Sequence, residues 1–332
     1  MQNIEFRCFQ VSQAAERQVR HSIETIQIDD LPAGDVVIRV AWSSLNYKDA
    51  LAASGHPGVA GELPHVPGID LVGTVMESSD SRYAEGDSVL ITGYELGAPA
   101  WGGWSEYVRT PADWVVPMPS ELSPREAMTI GTAGFTAAQC VRELQMREVT
   151  PESGPVLVTG ATGGVGCCAV RLLASLGYEV HAITGKSKEV ERLKSLGAAE
   201  VHGRELLDDN PKRPLLSAKW AGGVDTVGGD MLVAFLKSTK INGCVSACGL
   251  VAGDKLATTV YPFILRGVSL AGVTSAGCPR PAREWIWDKL NSDWQIALPD
   301  DWVEEVTFEE LPAAIERIQS GKIAGRVIVR IG

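Results

Sequence analysis

The most constraining stretch of this chain is Gly160-Ala-Thr-Gly163-Gly-Val-Gly166. It follows a short apolar run, Val156-Leu-Val-Thr159, and leads into residues 165–176, whose apolar spacing reads as a helix. A glycine loop between a buried strand and a helix lets backbone N–H groups approach an anion closely. It also sets the partial positive charge of a helix N-terminus behind them. The loop therefore suits a pyrophosphate, and the unit around it is expected to alternate strand and helix. Residues 179–184 read as a second strand, 189–196 as a helix closed by Gly197, and 224–227 and 243–248 as later strands. That rhythm implies a doubly wound parallel sheet with helices on both faces.

The end of the second strand sorts one nucleotide from another. A site for an unphosphorylated ribose usually places a carboxylate there, about 20 residues past the loop, on the 2′-hydroxyl. This chain has Thr184-Gly185-Lys186 instead, with Lys188 next and Arg204 beyond the following helix. A missing carboxylate removes repulsion, and the cations suit a 2′-phosphate. Each charge-assisted hydrogen bond contributes about 1.5–3 kcal/mol, or about 10–150-fold in selectivity. The expected cofactor is NADPH. The bland alternative is that Lys186 and Lys188 are a solvated helix start.

Before residue 124 the chain reads as short strands, at 35–42, 69–75 and 87–92, broken by Pro57-Gly58, Pro67-Gly68 and Gly102-Gly103. Ser123, Pro124 and Glu126 then read as an N-cap and first turn. A helical region follows to about residue 144, interrupted near Gly131-Thr132. Past a strand at 269–273, a Trp-rich helix (Trp285, Trp287, Trp294) precedes a last strand at 326–331. The expected architecture is α/β in two domains. A barrel-like domain draws on residues 1–125 and 270–332, and the nucleotide-binding domain, 126–269, is inserted between them.

A net charge of −11 over 332 residues argues against general binding to nucleic acid or an anionic membrane. No run approaches the roughly 18 apolar residues of a membrane span. The first sixteen residues have no hydrophobic signal core, so a cytoplasmic location is expected. The seven cysteines are odd in number and mostly sit in apolar stretches, as buried free thiols do.

Several segments are similar to medium-chain dehydrogenase/reductases: Asn46-Tyr-Lys-Asp49, Pro67-Gly-Ile-Asp70, Gly131-Thr-Ala-Gly-Phe-Thr-Ala137, the Gly160 loop and Gly325-Arg326. Trp42-Ser-Ser-Leu-Asn-Tyr-Lys-Asp-Ala-Leu51, Trp101-Gly-Gly-Trp104, Cys248-Gly-Leu250 and Pro262-Phe-Ile-Leu-Arg266 resemble, more narrowly, the YhdH/AcuI group of NADPH-dependent acrylyl-CoA reductases. The resemblance spans nearly the whole chain. It implies a GroES-like β-barrel catalytic domain, a Rossmann domain and a homodimer paired through the nucleotide-binding sheet. By position it implies cofactor contacts at Asn46, Tyr47, Thr162, Gly163, Gly164, Val165, Thr184, Gly185, Lys186, Arg204, Leu250, Ile264, Ser275 and Arg326. Thr136 falls where the linking helix approaches the nicotinamide. One departure is that relatives carry Ser-Gly-Arg where this chain has Thr184-Gly185-Lys186. Lys keeps the charge and loses the planar fork, which weakens the preference for NADPH without abolishing it.

Zinc-dependent members of the superfamily have Cys where Asn46 or Tyr47 stands and Gly-His-Glu where Gly68-Ile69-Asp70 stands. A catalytic zinc needs three His, Cys or carboxylate ligands. Ile69 is not one, the four-Cys lobe of a structural zinc is missing, and Cys244 and Cys248 read as core positions on a strand, so no metal is expected. Without such a Lewis acid an activated alkene is a better substrate than an alcohol. Hydride adds to its β-carbon, the carbonyl takes up the charge, and the α-carbon receives a proton. Tyr47 is the leading candidate to donate that proton or to orient a water that does, and packing against the cofactor is its other reading. Asn46 and Lys48 are alternates, with structural or cofactor contacts as their favoured reading, and Asp70 is a fourth candidate that after Pro67-Gly68 reads more readily as a turn residue. Arg266, Arg280 and Arg283 are the cations available for CoA phosphates, with surface charge as their alternative role. The expected reaction is reduction of a 2-enoyl thioester, acrylyl-CoA to propanoyl-CoA. The other readings are a quinone or enone reductase and a non-catalytic NADPH-binding protein.

Overall fold

The computed structural model describes residues 4–14, 18–208 and 212–332. The chain divides into two compact units. One comprises Met1–Thr132, Ser275–Asn291 and Pro299–Gly332, and the other Ala133–Thr274 and Ser292–Leu298. Residues 1–3, 15 and 16 of the N-terminal segment searched for a signal core lie outside the described residues.

The first unit opens with an antiparallel pair, β1 (Glu5–Gln13) and β2 (Val19–Gln27). Its main sheet begins with β3 (Val36–Leu45), which leads through Asn46 into helix α1 (Tyr47–Ala53). It continues with β4 (Asp70–Ser78), β5 (Ser88–Thr92), β6 (Tyr107–Thr110) and β7 (Val116–Pro117). Helix α2 (Pro124–Met146) starts from Ser123, whose hydroxyl donates to Glu126 Oε2 at 2.6 Å. This helix is not continuous. Gly131 has φ +50°, outside helical geometry, and a Cβ there would lie 2.7 Å from Asp70 Oδ2 and 2.9 Å from Arg326 Nη2. Only glycine fits a left-handed bend pressed against two charged side chains.

The second unit holds β8 (Val156–Val158), α3 (Gly164–Ser175), β9 (Val180–Ile183), α4 (Val190–Ser195), β10 (Ala198–His202), β11 (Trp220–Asp225), α5 (Gly229–Ser238), β12 (Thr239–Ala247), α6 (Tyr261–Arg266) and β13 (Ser269–Gly272). Its six strands are all parallel, in the order β10-β9-β8-β11-β12-β13. Val156, Leu157 and Val158 are completely buried, as expected for a central strand covered on both faces. The chain returns to the first unit with α7 (Arg280–Asn291), β14 (Val303–Val306), α8 (Leu311–Gln319) and β15 (Arg326–Arg330). There the order is β14-β15-β3-β4-β5-β7, with β6 also paired to β3. All pairs in that sheet are antiparallel except β14–β15.

The two sheets correspond to the expected GroES-like and Rossmann parts. Two expectations need correction. The Trp-rich helix ends at Asn291, so Trp294 lies in the loop beyond it and is buried in the second unit; only Trp285 and Trp287 are on α7. Cys248 follows β12 instead of lying on it. All seven cysteines are free, and all but the partly exposed Cys248 are buried. No helix among the described residues is long and apolar enough to cross a membrane.

Candidate functional site

In the second unit the glycine loop is tied down from three sides. Thr159 N donates to Val224 O at 3.0 Å, Ala161 N donates to Ile183 O at 3.0 Å, and the Thr159 hydroxyl donates to Asp225 Oδ1 at 2.7 Å. Burial pushes the Asp225 carboxyl above its ordinary value, opposed by the bonds from Thr159, Gly228 and Val227. Helix α3 starts from Gly163 with no side-chain cap and no acidic residue in its first turn. Its first N–H groups therefore point outward for an anion. A Cβ on Gly166 would sit 2.3 Å from Gly160 O and 2.7 Å from Ala161 Cα, so helix and loop touch through backbone alone.

The loop is linked to the end of β9. Thr162 and Thr184 share a hydroxyl hydrogen bond at 3.2 Å, and Thr184 Oγ1 accepts from Lys186 N at 3.0 Å. Partial burial draws the Lys186 ammonium below its ordinary pKa, and Glu189 opposes the shift. Arg204 lies against this turn: a Cβ on Gly185 would meet its Nε and Nη2 at 2.7 Å. Arg204 is exposed and borders a space of about 400 Å³ that it shares with Asp208, Asp230 and Met231. The structure thus gathers Thr162, Thr184, Gly185, Lys186 and Arg204 around one loop end. Leu250 and Ile264 are exposed, the first after β12 and the second on α6, and Thr136 is buried on α2.

In the first unit, Tyr47 is the first residue of α1 and is 53% exposed. What holds it there is a set of buried polar groups. Asp49 Oδ2 accepts from Asn46 N at 2.7 Å, and its Oδ1 accepts from Ile69 N at 2.8 Å and Gly68 N at 3.1 Å. Asp70 Oδ2 accepts from the Ser44 hydroxyl at 2.5 Å and from Asn46 Nδ2 at 2.8 Å; Thr132 donates its N–H to both Asp70 oxygens and its hydroxyl to Oδ1 at 2.6 Å. Arg326 Nη1 donates to Asn46 Oδ1 at 3.1 Å, while its Nε donates to Thr129 O at 2.8 Å. Burial, and then the charge of Asp70, push the Asp49 carboxyl up to about 7, against the pull of its hydrogen bonds.

Asn46 is thus clamped on both faces of its amide, and Arg326, buried and committed to carbonyls, acts on this segment through Asn46. Asp70 is not a turn residue. It begins β4, is completely buried and ties β3 to the bend at Thr132. Asp49, Ser44 and Thr132 were missed as members of this cluster, although the Asn46-x-x-Asp49 spacing is a capping-box signal. The three arginines considered for CoA phosphates are occupied. Arg283 is fully buried, against the surface role considered for it, and donates to Thr92 O and Ser275 O. Arg266 donates to Leu216 O and Lys237 O, and Arg280 to Glu284 and the Tyr83 hydroxyl. Ser275 is a backbone acceptor for Arg283.

Residues 32–120 match the alcohol dehydrogenase GroES-like domain family, and 164–292 match the zinc-binding dehydrogenase family. The chain is 46% identical over 98% of its length to the putative quinone oxidoreductase YhfP of Bacillus subtilis, covering 99% of that protein. It is 44% identical over 93% of its length to the acrylyl-CoA reductase AcuI of Ruegeria pomeroyi, covering 94% of it. It belongs to the YhdH/AcuI group of the medium-chain dehydrogenase/reductases. Among solved structures, the YhdH oxidoreductase of Salmonella enterica in complex with NADP superposes with a TM-score of 0.95 at 42% identity, covering 98% of this chain and all of that one. Bacillus subtilis YhfP with NAD bound superposes with a TM-score of 0.94 at 45% identity, covering 99% and 100%.

The zinc in one family description does not fit the residues where this superfamily places a catalytic ion. Asn46 is an amide clamped by hydrogen bonds, Ile69 is a buried hydrocarbon, and both oxygens of Asp70 are taken by donors. A dinucleotide fits the other unit better: an uncapped helix start, a glycine contact a Cβ would fill, and a guanidinium lying on a glycine.

Proposed function

We propose that this chain is an NADPH-dependent oxidoreductase that reduces the activated C=C of a 2-enoyl thioester, with acrylyl-CoA as substrate and propanoyl-CoA as product. The cofactor choice rests on one observation: Arg204 lies against Gly185, beside Lys186, where a discriminating carboxylate would otherwise stand. The thioester choice is supported by the identity to AcuI along almost the full chain. When bound, NADPH supplies the hydride that adds to the β-carbon.

The chain's own residues do the rest. The N–H groups opening α3 bind the pyrophosphate, with Thr162 and Thr184 bracing the loop. Lys186 and Arg204 take the 2′-phosphate. Asn46, oriented by Asp70 and Arg326, and Asp49, as the acceptor for the start of α1, fix the direction of Tyr47. The Tyr47 hydroxyl, directly or through a water, delivers the proton to the α-carbon as the substrate's carbonyl gives up its accumulated charge. A cytoplasmic homodimer is part of this reading. The YhfP relative supports a second one, reduction of a quinone or enone with the same cofactor residues.

The test follows NADPH oxidation with acrylyl-CoA, with a simple quinone and NADH in parallel, on the wild type and Arg204→Ala. The proposal expects thioester turnover to dominate and the variant to lose about 10–150-fold of its NADPH-over-NADH preference, the equivalent of one charge-assisted hydrogen bond. Quinone turnover without thioester turnover sinks the substrate. Nucleotide binding without turnover on either sinks the enzyme. An unchanged preference in the variant sinks the phosphate pocket.

A further inference from the structure

We propose that His181, Glu200 and His202 form a binding site for a zinc-type divalent cation at the edge of the six-stranded parallel sheet. Neither the relatives' names nor the catalytic-zinc positions at Asn46, Ile69 and Asp70 refer to these residues. β9 and β10 run in parallel with Glu200 opposite His181 and His202 opposite Ile183. Glu200 and His202 are two residues apart on one strand and share a face, and His181 faces the same way as its partner Glu200. Three side chains that bind metal are therefore brought to one patch by strand pairing.

Their spacing matches that of a coordination sphere. His181 Nδ1 lies 3.0 Å from His202 Nε2 and 3.8 Å from Glu200 Oε2, and His202 Nε2 lies 3.4 Å from Glu200 Oε2. In a tetrahedral site with bonds of about 2.0–2.1 Å, neighbouring ligand atoms stand about 3.3–3.4 Å apart. The three distances bracket that value. Among the described residues this is the one group of three His, Cys, Asp or Glu side chains whose ligand atoms converge in this way.

The surroundings fit as well. His181 Nε2 is 3.2 Å from Glu179 Oε1, so it serves as the donor there and leaves Nδ1 as a lone pair directed at the patch. A carboxylate behind a histidine is the usual outer partner of a metal-bound imidazole. The edge of Trp220 packs on the His181 ring, with centroids 5.1 Å apart at 61°, and fixes its plane. Glu200 is exposed and His202 partly so, leaving a side open for entry and for a water as fourth ligand. Two imidazole nitrogens and one carboxylate oxygen suit Zn²⁺ and its late first-row neighbours better than Mg²⁺ or Ca²⁺.

The test uses tag-free full-length protein, stripped with a chelator and titrated with Co²⁺ and then Zn²⁺. The expected result is one equivalent of Co²⁺ with tetrahedral visible absorption, no thiolate charge-transfer band, and displacement by Zn²⁺. His202→Ala and Glu200→Gln, both at the accessible side of the patch, are each expected to weaken Zn²⁺ binding at least tenfold, with unchanged circular dichroism. Glu179→Gln is expected to weaken it about 10-fold through His181. The proposal is overturned if Zn²⁺ binds no tighter than about 1 mM. It is equally overturned if the bound Co²⁺ shows cysteine ligation, or if the Glu200→Gln protein binds as the wild type does.

Discussion

Replacing Asp70 by Asn tests the idea that paired buried carboxylates hold the Tyr47 segment. Both Asp70 oxygens only accept: from the Ser44 hydroxyl, Asn46 Nδ2, and the Thr132 N–H and hydroxyl. An amide keeps one acceptor and adds a donor. Its oxygen is expected to stay on the Thr132 side, because a backbone N–H cannot turn away, whereas the Ser44 hydroxyl can rotate and accept. Asn46 Nδ2 then faces another N–H₂. Losing that bond costs about 1.5–3 kcal/mol, and exchanging the remaining charge-assisted bonds for neutral ones adds about 0.5–1 kcal/mol each. The expected loss at pH 5 is about 3–6 kcal/mol.

Part of this loss is returned at higher pH. Asp49 is raised from 3.8 to about 7 by burial first and by Asp70 second. Because its folded pKa lies above its ordinary one, the associated stability is complete below pH 4 and is lost as pH rises through about 7. For the full shift that loss is about 4 kcal/mol. Removing the Asp70 charge removes the smaller share, so the gap between wild type and variant should narrow by about 1–2 kcal/mol from pH 5 to pH 8. Urea unfolding at a series of pH values measures both quantities. A destabilisation under about 1 kcal/mol at pH 5, or a gap that widens with pH, would refute the reasoning.

Two further outcomes are expected. Gly166→Ala puts a methyl 2.3 Å from Gly160 O, so it should push α3 off the loop and weaken NADPH binding at least tenfold, and cofactor fluorescence titration showing wild-type affinity would contradict the backbone contact. Tyr47→Phe should lower kcat on the thioester about 10²-fold with little change in NADPH affinity, whereas a loss confined to affinity would leave Tyr47 a packing residue.

The fold was legible where its signal is local. The glycine loop, the apolar strand before it and the helix after it lie within about twenty consecutive residues, and α2 shows its break at Gly131 in the sequence itself. Two of the strands that were not anticipated lack such a signal. β2 alternates exposed and half-buried side chains without an apolar face, and β10 is a short edge strand, Ala-Ala-Glu-Val-His, whose character comes from its pairing with β9. Trp294 was assigned to a helix because aromatic spacing carries on past Asn291, where the helix stops.

The polar interior was the least legible part, for a physical reason. Asp70 meets Thr132 across 62 positions, and Asn46 meets Arg326 across 280. A lone Asp or Arg in a sequence looks like surface, because burying it unpaired is costly; it becomes a core residue only once the fold supplies its partners. Arg283 shows this most clearly. It is fully buried, with Thr92 O, Ser275 O and the ring of Tyr94 at 4.1 Å around its guanidinium, and none of these is near it in sequence apart from Ser275. The same argument covers His181 and His202. Two histidines 21 positions apart carry no metal-binding spacing as a string, and only the parallel register of two strands turns them into neighbours. Chemistry that depends on such pairings has to be read from the sheet.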